Sequence, residues 1–262
     1  MMITVNEQTV YCYTNSRDID PAKPSIVFIH GSGMDHCVWT LASRHFARHG
    51  NNVISLDLPG HGRSGGAPLA TIEAMADWVI AVLDTLKIEQ AALVGHSLGS
   101  LIALESAAAH ASRIRAIALV GTTSPMPVSD AILDAAKAND HSAFDMLTQW
   151  GFSKRHQFGG NRSSGIWMIG NTLRLYEQSG PDVLFHDMRA CNDYQSGIEQ
   201  ASRVTCPALL LLGAEDRLTP VRSTQALQSA LTSAKVEILP AAGHTIMVEA
   251  PNAMLDALHQ VL

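Results

Sequence analysis

The sequence predicts an α/β protein: a mostly parallel central sheet flanked by helices, with one helical insertion. Three observations carry that prediction. Residues 25–29, 52–56, 91–94, 115–120 and 208–212 are short apolar runs that do not alternate with polar residues, as strands buried on both faces require. Helix-patterned segments separate the first four runs, and a steady strand-helix alternation implies parallel strands joined by right-handed crossovers. After Ser124 and Pro125 the alternation stops, residues 126–204 read as helical without a strong buried strand, and the alternation resumes at Ala208.

Taken in order, residues 4–13 alternate loosely and open the chain with a strand or hairpin. Residues 25–29 (SIVFI) form a buried strand that ends in the glycine-rich turn His30-Gly31-Ser32-Gly33-Met34-Asp35, where backbone amides can approach a ligand. Residues 38–49 read as a short helix, and 52–56 as the next strand. The loop Asp57-Leu58-Pro59-Gly60-His61-Gly62-Arg63-Ser64 holds three glycines and a proline, so its work is to fix backbone shape, and Asp57 and His61 are assigned structural roles. From Thr71 to Leu86 apolar residues recur at three and four positions, the mark of a helix with one buried stripe. Residues 91–94 form a strand running into Gly95-His96-Ser97-Leu98-Gly99 and an alanine-rich helix. Residues 115–120 are the next strand. Beyond the helical block come a strand at 208–212, a helix at 224–231, a short strand at 236–239 and a final helix at 252–262. The expected division is a core of residues 1–123 and 205–262, with a helical cap subdomain at 124–204.

Composition narrows the function. With 262 residues, 47% hydrophobic and 16% charged, the chain can bury one large core and a small appended subdomain. A net charge of −6, with lysines and arginines scattered, gives no footprint for nucleic acid. The N-terminus lacks the layout of a secretory signal, and no apolar run approaches the ~20 residues needed to cross a bilayer, so neither a membrane nor export is expected and the cytoplasm is the expected location. Cys12, Cys37, Cys191 and Cys206 stand too far apart for a zinc ribbon or a disulfide framework and are expected as free thiols, and no metal site is expected. Oligomeric state is not legible.

The chemistry centres on Ser97. A sharp strand-to-helix turn forces the serine into strained backbone and brings strand and helix together, so the positions two before and two after must lack bulk; Gly95 and Gly99 meet that demand. The turn also aims the N–H of Leu98 at whatever the hydroxyl attacks. A second match to the five-residue pattern, Gly62 to Gly66 around Ser64, has neither strand nor helix beside it and is set aside. A serine hydroxyl needs a base to take its proton and the base needs an orienting acid. Asp216 and His244 each stand just past a predicted strand, on the rim where parallel sheets gather functional groups.

The order serine, acid, histidine, together with HGSG at 30–33, DLPGHGRS at 57–64, GHSLG at 95–99, GAEDRLTP at 213–220 and GH at 243–244, resembles the α/β-hydrolase family across essentially the whole chain. The resemblance implies the α/β-hydrolase fold with a helical cap, Ser97 as nucleophile, His244 as base and Asp216 as its acid. It favours Asp216 over the adjacent Glu215. It also implies that the N–H of Ser32, with Gly33 as the adjacent possibility, is a second oxyanion donor beside Leu98. His259 is read as an ordinary helix histidine, and His96 as pointing away from the nucleophile. Gly31, Gly33, Trp150 and Trp167 are expected to bind substrate. The activity expected is cofactor-free hydrolysis of a small-molecule ester, apolar or aryl, through an acyl-enzyme. Lactone or carbon-carbon bond hydrolysis on the same triad is the alternative, although carbon-carbon hydrolases of the family follow the histidine with tryptophan where this chain has Thr245. A catalytically weak binding module is the alternative of another class. Aspartate-nucleophile relatives such as dehalogenases are disfavoured by Ser97.

Overall fold

The continuous apolar runs form the inner strands of one eight-stranded sheet in a computed structural model that describes residues 1–160 and 166–262. In chain order the strands are β1 (Met2–Val5), β2 (Gln8–Tyr13), β3 (Ser25–Ile29), β4 (Asn52–Leu56), β5 (Ala91–His96), β6 (Ile114–Val120), β7 (Ala208–Gly213) and β8 (Ala234–Leu239). They lie in the order β1-β2-β4-β3-β5-β6-β7-β8. The first two pair antiparallel, β2 meets β4 antiparallel, and every pairing from β4 to β8 is parallel. Register decides where chemistry can happen: Ile29 lies beside Gly95, and His96 beside Val120. The loops after β3, β5 and β6 therefore leave the sheet at one level.

Both faces of the sheet are covered. Along β3 and β5, Val27, Ile29 and Leu93 face one apolar layer while Ile26, Phe28, Ala92 and Val94 face the other, the alternation a pleated strand imposes. Helices α2 (Ile72–Thr85) and α3 (Leu98–Ala109) close the first layer; α1 (Thr40–Arg48) and the C-terminal α12 (Pro251–Leu258) close the second. Each fully buried Val, Leu, Ile or Phe is worth roughly 1.5–3 kcal/mol, so these layers dominate the stability. The edge strand β8 keeps Lys235 and Glu237 along a half-exposed face, which discourages pairing with another sheet. The expected C-terminal helix is α12, ending at Leu258, and a single turn not expected from the sequence, α11 (Ile246–Glu249), precedes it.

Between β6 and β7 the chain passes through α4 (Asp130–Lys137), α5 (Ser142–Gly151), α6 (Lys154–Gln157), α7 (Met168–Glu177), α8 (Val183–Asp193) and α9 (Gly197–Arg203). Ile132, Ala136, Ala143, Leu147, Tyr176, Leu184 and Met188 form a third apolar cluster seated on Met34, from the loop after β3. The last helix of the expected insertion belongs with the sheet instead: Ala201 of α9 is buried in the layer that holds Leu101 and Leu104 of α3. A helix packing on the sheet and a helix packing on other helices share one period, so the boundary at 204 was not readable from pattern. A short α10 (Gln225–Ala230) links β7 to β8. Among the described residues no helix is long and apolar enough to cross a membrane.

Candidate active site

Ser97 occupies the turn between β5 and α3 at φ 51° and ψ −117°. A non-glycine residue held there stores about 1–3 kcal/mol of strain, so the surroundings must force it. They do: a Cβ on Gly95 would stand 1.9 Å from the carbonyl oxygen of Gly99, and a Cβ on Gly99 would stand 2.4 Å from that of Ile29. The Ser97 N–H is held by the Val120 carbonyl at 3.0 Å. Among the described residues the N–H of Leu98 has no hydrogen-bond partner and opens at the N-terminus of α3, a place that favours negative charge.

The turn after β3 is closed by Met34 N–H donating to Gly31 O at 3.1 Å. Gly33, at φ +65°, donates its N–H to Oδ2 of Asp187 at 2.8 Å. Ser32 is buried, and among the described residues its N–H is unpartnered. Gly31 lies behind the serine: a Cβ there would meet Nδ1 of His96 at 2.6 Å and Cβ of Ser97 at 3.3 Å. His30 accepts from Leu58 N–H through Nε2 at 3.1 Å, which leaves its proton on Nδ1 facing Gly31 O. Burial, then the charge of His61, pushes the His30 imidazole down to about 4, so it is neutral.

Asp216 and His244 meet on the same rim. Nδ1 of His244 lies 2.8 Å from Oδ2 of Asp216; the acceptor fixes the proton on Nδ1 and leaves the Nε2 lone pair free. Asp216 also accepts from Leu218 N–H and Thr219 N–H, both at 2.8 Å, and from the Thr219 hydroxyl at 2.7 Å. Burial alone would raise this carboxyl, but the charge of His244 and these hydrogen bonds outweigh it and hold Asp216 below the usual carboxylate range. The His244 N–H donates to Gly151 O at 2.6 Å, tying His244 to the end of α5. Ser97 and His244 line one cavity of about 170 Å³. No hydrogen bond joins the two side chains directly, a contact that in unliganded sites is commonly long and tightens around substrate.

Helices of the insertion roof this cavity. Trp150 lines it together with Ile132, Leu147, Tyr176 and Met188, and Arg217 stands exposed at its mouth. Trp167 does not: it is 66% exposed, outside the cavity, with its ring over Gly170 of α7. A large aromatic residue in a helical block carries no sign of which face it takes. His96 contributes to the cavity wall, and its Nε2 donates to His244 O at 3.1 Å. Gly33 is covered by Leu184 and Tyr176 and lies outside the lining. Ile132 of α4, Leu147 of α5, Tyr176 of α7 and Met188 of α8 had no sequence signal beyond helical period.

The rival groups are engaged elsewhere. The Ser64 hydroxyl accepts from Tyr11 N–H and donates to Asp57 O, at 2.9 and 2.7 Å. Asp57 accepts from the backbone and ring of His36 and from Arg63 N–H. Glu215 accepts from Lys154 N–H at 3.1 Å, and His259 pairs with His45 on the surface. All four cysteines are free. Among the described residues only Asp35, His36 and Cys37 bring three possible metal-ligand atoms within 4.8 Å, and Asp35 and His36 are already bonded to Cys37 N–H and Asp57.

A family model described as alpha/beta hydrolase fold matches residues 24–251. The chain is 25% identical over 240 residues to an (E)-2-((N-methylformamido)methylene)succinate hydrolase of Acinetobacter baylyi, covering 89% of this chain and 88% of the relative. It is 27% identical over 252 residues to a pimeloyl-[acyl-carrier protein] methyl ester esterase of Chromobacterium violaceum, covering 91% and 94%. In three dimensions it is similar to an enol-lactonase from Burkholderia xenovorans, with TM-score 0.87, 22% identity and coverage of 100% and 99%.

Proposed function

The chain belongs to the alpha/beta hydrolase family, and from that premise we propose that it cleaves small carboxylic esters through an acyl-enzyme formed on Ser97. The observation that carries this reading is the His244–Asp216 contact of 2.8 Å on a cavity whose wall includes a serine held at positive φ. His244 Nε2 takes the Ser97 proton as Oγ attacks the acyl carbon. The carbonyl oxygen becomes an oxyanion facing the N–H groups of Leu98 and Ser32; the engagement of Gly33 N–H by Asp187 favours Ser32 as the second donor. Collapse breaks the ester bond, and the alcohol leaves with the proton from His244. Water, deprotonated by His244, then releases the acid and frees Ser97. Asp216 stabilises the imidazolium that forms in each half. Proton transfer of this kind is worth roughly 10²–10⁴ in rate, and each oxyanion donor roughly 10²–10³.

Cavity size supports the substrate class. About 170 Å³, walled mainly by apolar side chains, is close to the ~150 Å³ that accommodates a benzene ring, so one aryl ring or a short acyl chain fits. Helices α4 to α8 serve as the cap. The relative that acts on a methyl ester is consistent with ester cleavage. Replacing Ser97 by Ala is expected to lower turnover of a p-nitrophenyl ester by at least about 10⁴-fold and to abolish labelling by a fluorophosphonate probe. Substantial turnover in that variant overturns the reading, and a folded, unlabelled wild type would identify a binding module instead.

A further inference from the structure

Asp187 is a fully buried carboxylate on α8, and it reaches out of the inserted helices into the loop after β3. Its Oδ2 accepts from Gly33 N–H and from Nε2 of His61, both at 2.8 Å. The other ring nitrogen of His61, Nδ1, faces Pro59 O at 3.0 Å. Two oxygen acceptors, one at each nitrogen, are satisfied together only by the doubly protonated ring. Burial by itself would lower the His61 pKa, but the charge of Asp187 and these hydrogen bonds outweigh it and raise it. The other groups facing the ring are Asp57, from the loop after β4, and the neutral His30, 4.9 Å away between ring centres.

The same helix face does two jobs. Leu184, Asp187, Met188 and Cys191 follow one another at helical spacing. Leu184 covers Gly33, Met188 and Cys191 wall the cavity, and Cys191 Sγ lies 3.9 Å from Ser32 Oγ. With Gly33 N–H drawn to Asp187 and Met34 N–H drawn to Gly31 O, the Ser32 N–H between Gly31 and Gly33 keeps no hydrogen-bond partner among the described residues. Among the described residues the side-chain acceptor for Gly33 N–H comes from the insertion.

We propose that Asp187, paired with His61, is a positioning residue that fixes the turn presenting the Ser32 N–H, so that the oxyanion hole is complete only while α8 is docked. This rests on Ser32 as an oxyanion donor in the ester hydrolysis proposed above. Helix α8 thereby joins the wall that touches the acyl group to the loop that stabilises its transition state.

Asp187→Ala is expected to lower kcat for a p-nitrophenyl ester by about 10- to 100-fold with KM within about 3-fold, because a displaced oxyanion donor is lost in the transition state rather than in binding. Asp187→Asn can place its amide oxygen where Oδ2 stands, accepting from Gly33 N–H and from the Nε2–H of a singly protonated His61, so kcat is expected to recover to within about 5-fold of wild type. Long-range ¹H–¹⁵N spectra near pH ~6.5, the ordinary histidine value, are expected to show both His61 nitrogens protonated in the wild type and one in Asp187→Asn. If Asp187→Ala does not fold, Asp187→Ser, too short to reach Gly33, carries the same kinetic expectation. A folded Ala or Ser variant with kcat within about 2-fold of wild type, or a neutral His61 in the wild type, overturns the proposal. If Ser97→Ala is inactive while Asp187→Ala is unimpaired, only this inference fails; if Ser97→Ala turns over, the reading beneath it fails as well.

Discussion

A single methyl group decides whether the turn at Ser97 can form. At Gly95 a Cβ would sit 1.9 Å from the Gly99 carbonyl oxygen and 2.6 Å from the Ser100 nitrogen, both backbone atoms that cannot swing aside. Gly50 offers the opposite case, because its φ is +88° yet nothing lies within 4 Å of the added carbon. The two glycines therefore separate steric exclusion from backbone preference. Gly50→Ala is expected to cost about 1 kcal/mol, the penalty of a left-handed conformation alone. Gly95→Ala is expected to cost about 3 kcal/mol or more and to remove activity, since β5 and α3 must move apart and carry Ser97 with them. Urea unfolding of the two variants side by side checks this, and equal losses would show that crowding at Gly95 is relieved elsewhere.

At the scale of elements, His244 is held by one turn of helix. Glu249 closes α11, and its buried carboxylate accepts through Oε1 from Gly243 N–H at 3.0 Å and from the Thr245 hydroxyl at 3.1 Å, the two neighbours of His244. Through Oε2 it accepts from Ser153 N–H and the His156 ring, both at 2.9 Å, at the start of α6. Glu249→Gln turns one of these oxygens into a donor facing donors, at a cost of about 1–3 kcal/mol for each group left unsatisfied. Thermal unfolding is expected to drop by several degrees, and kcat by about 10-fold, as the His244 loop loses its tether; an unchanged melting temperature would contradict it. The elements that carry Ser97, Asp216 and His244 were legible in the sequence because each functional group follows an apolar run that is nearly self-identifying. Residues that hold those elements were not. Asp187 meets Gly33 across 154 positions and Glu249 meets Ser153 across 96, and neither spacing leaves a local pattern. Trp167 and α9 show the same limit from the other side, since helical period says that a face is apolar and leaves open what it packs against.

Across the whole molecule, histidines control both limbs of the stability profile. His30 is pushed down to about 4 by burial and by His61, and His96 is held well below its ordinary value by burial and by His244, so both are neutral in the native state. Below about pH 6.5 the unfolded chain takes up protons at these rings and the native state does not, so stability falls with pH. For His30 alone the loss between pH ~6.5 and ~4.5 is about 2–3 kcal/mol. Asp57 and Asp216, whose carboxyls are held low despite burial, stabilise above their unfolded value of ~3.9 and lose that contribution only as pH falls further, through their folded values. The acid limb therefore starts about 2.6 pH units earlier than paired carboxylates alone would place it. On the alkaline side the sign reverses: His61 is raised by Asp187, and His36, against the pull of burial, is raised to about 10 by Asp57, so their contributions are complete below about pH 6.5 and lost as pH climbs through the folded values. Stability is thus expected to peak near pH ~6.5, with urea midpoints falling between about pH 6.5 and 5 and falling again as pH climbs above about 6.5. A profile flat down to about pH 4.5 would mean that His30 and His96 take up protons within the fold, which their buried positions do not allow.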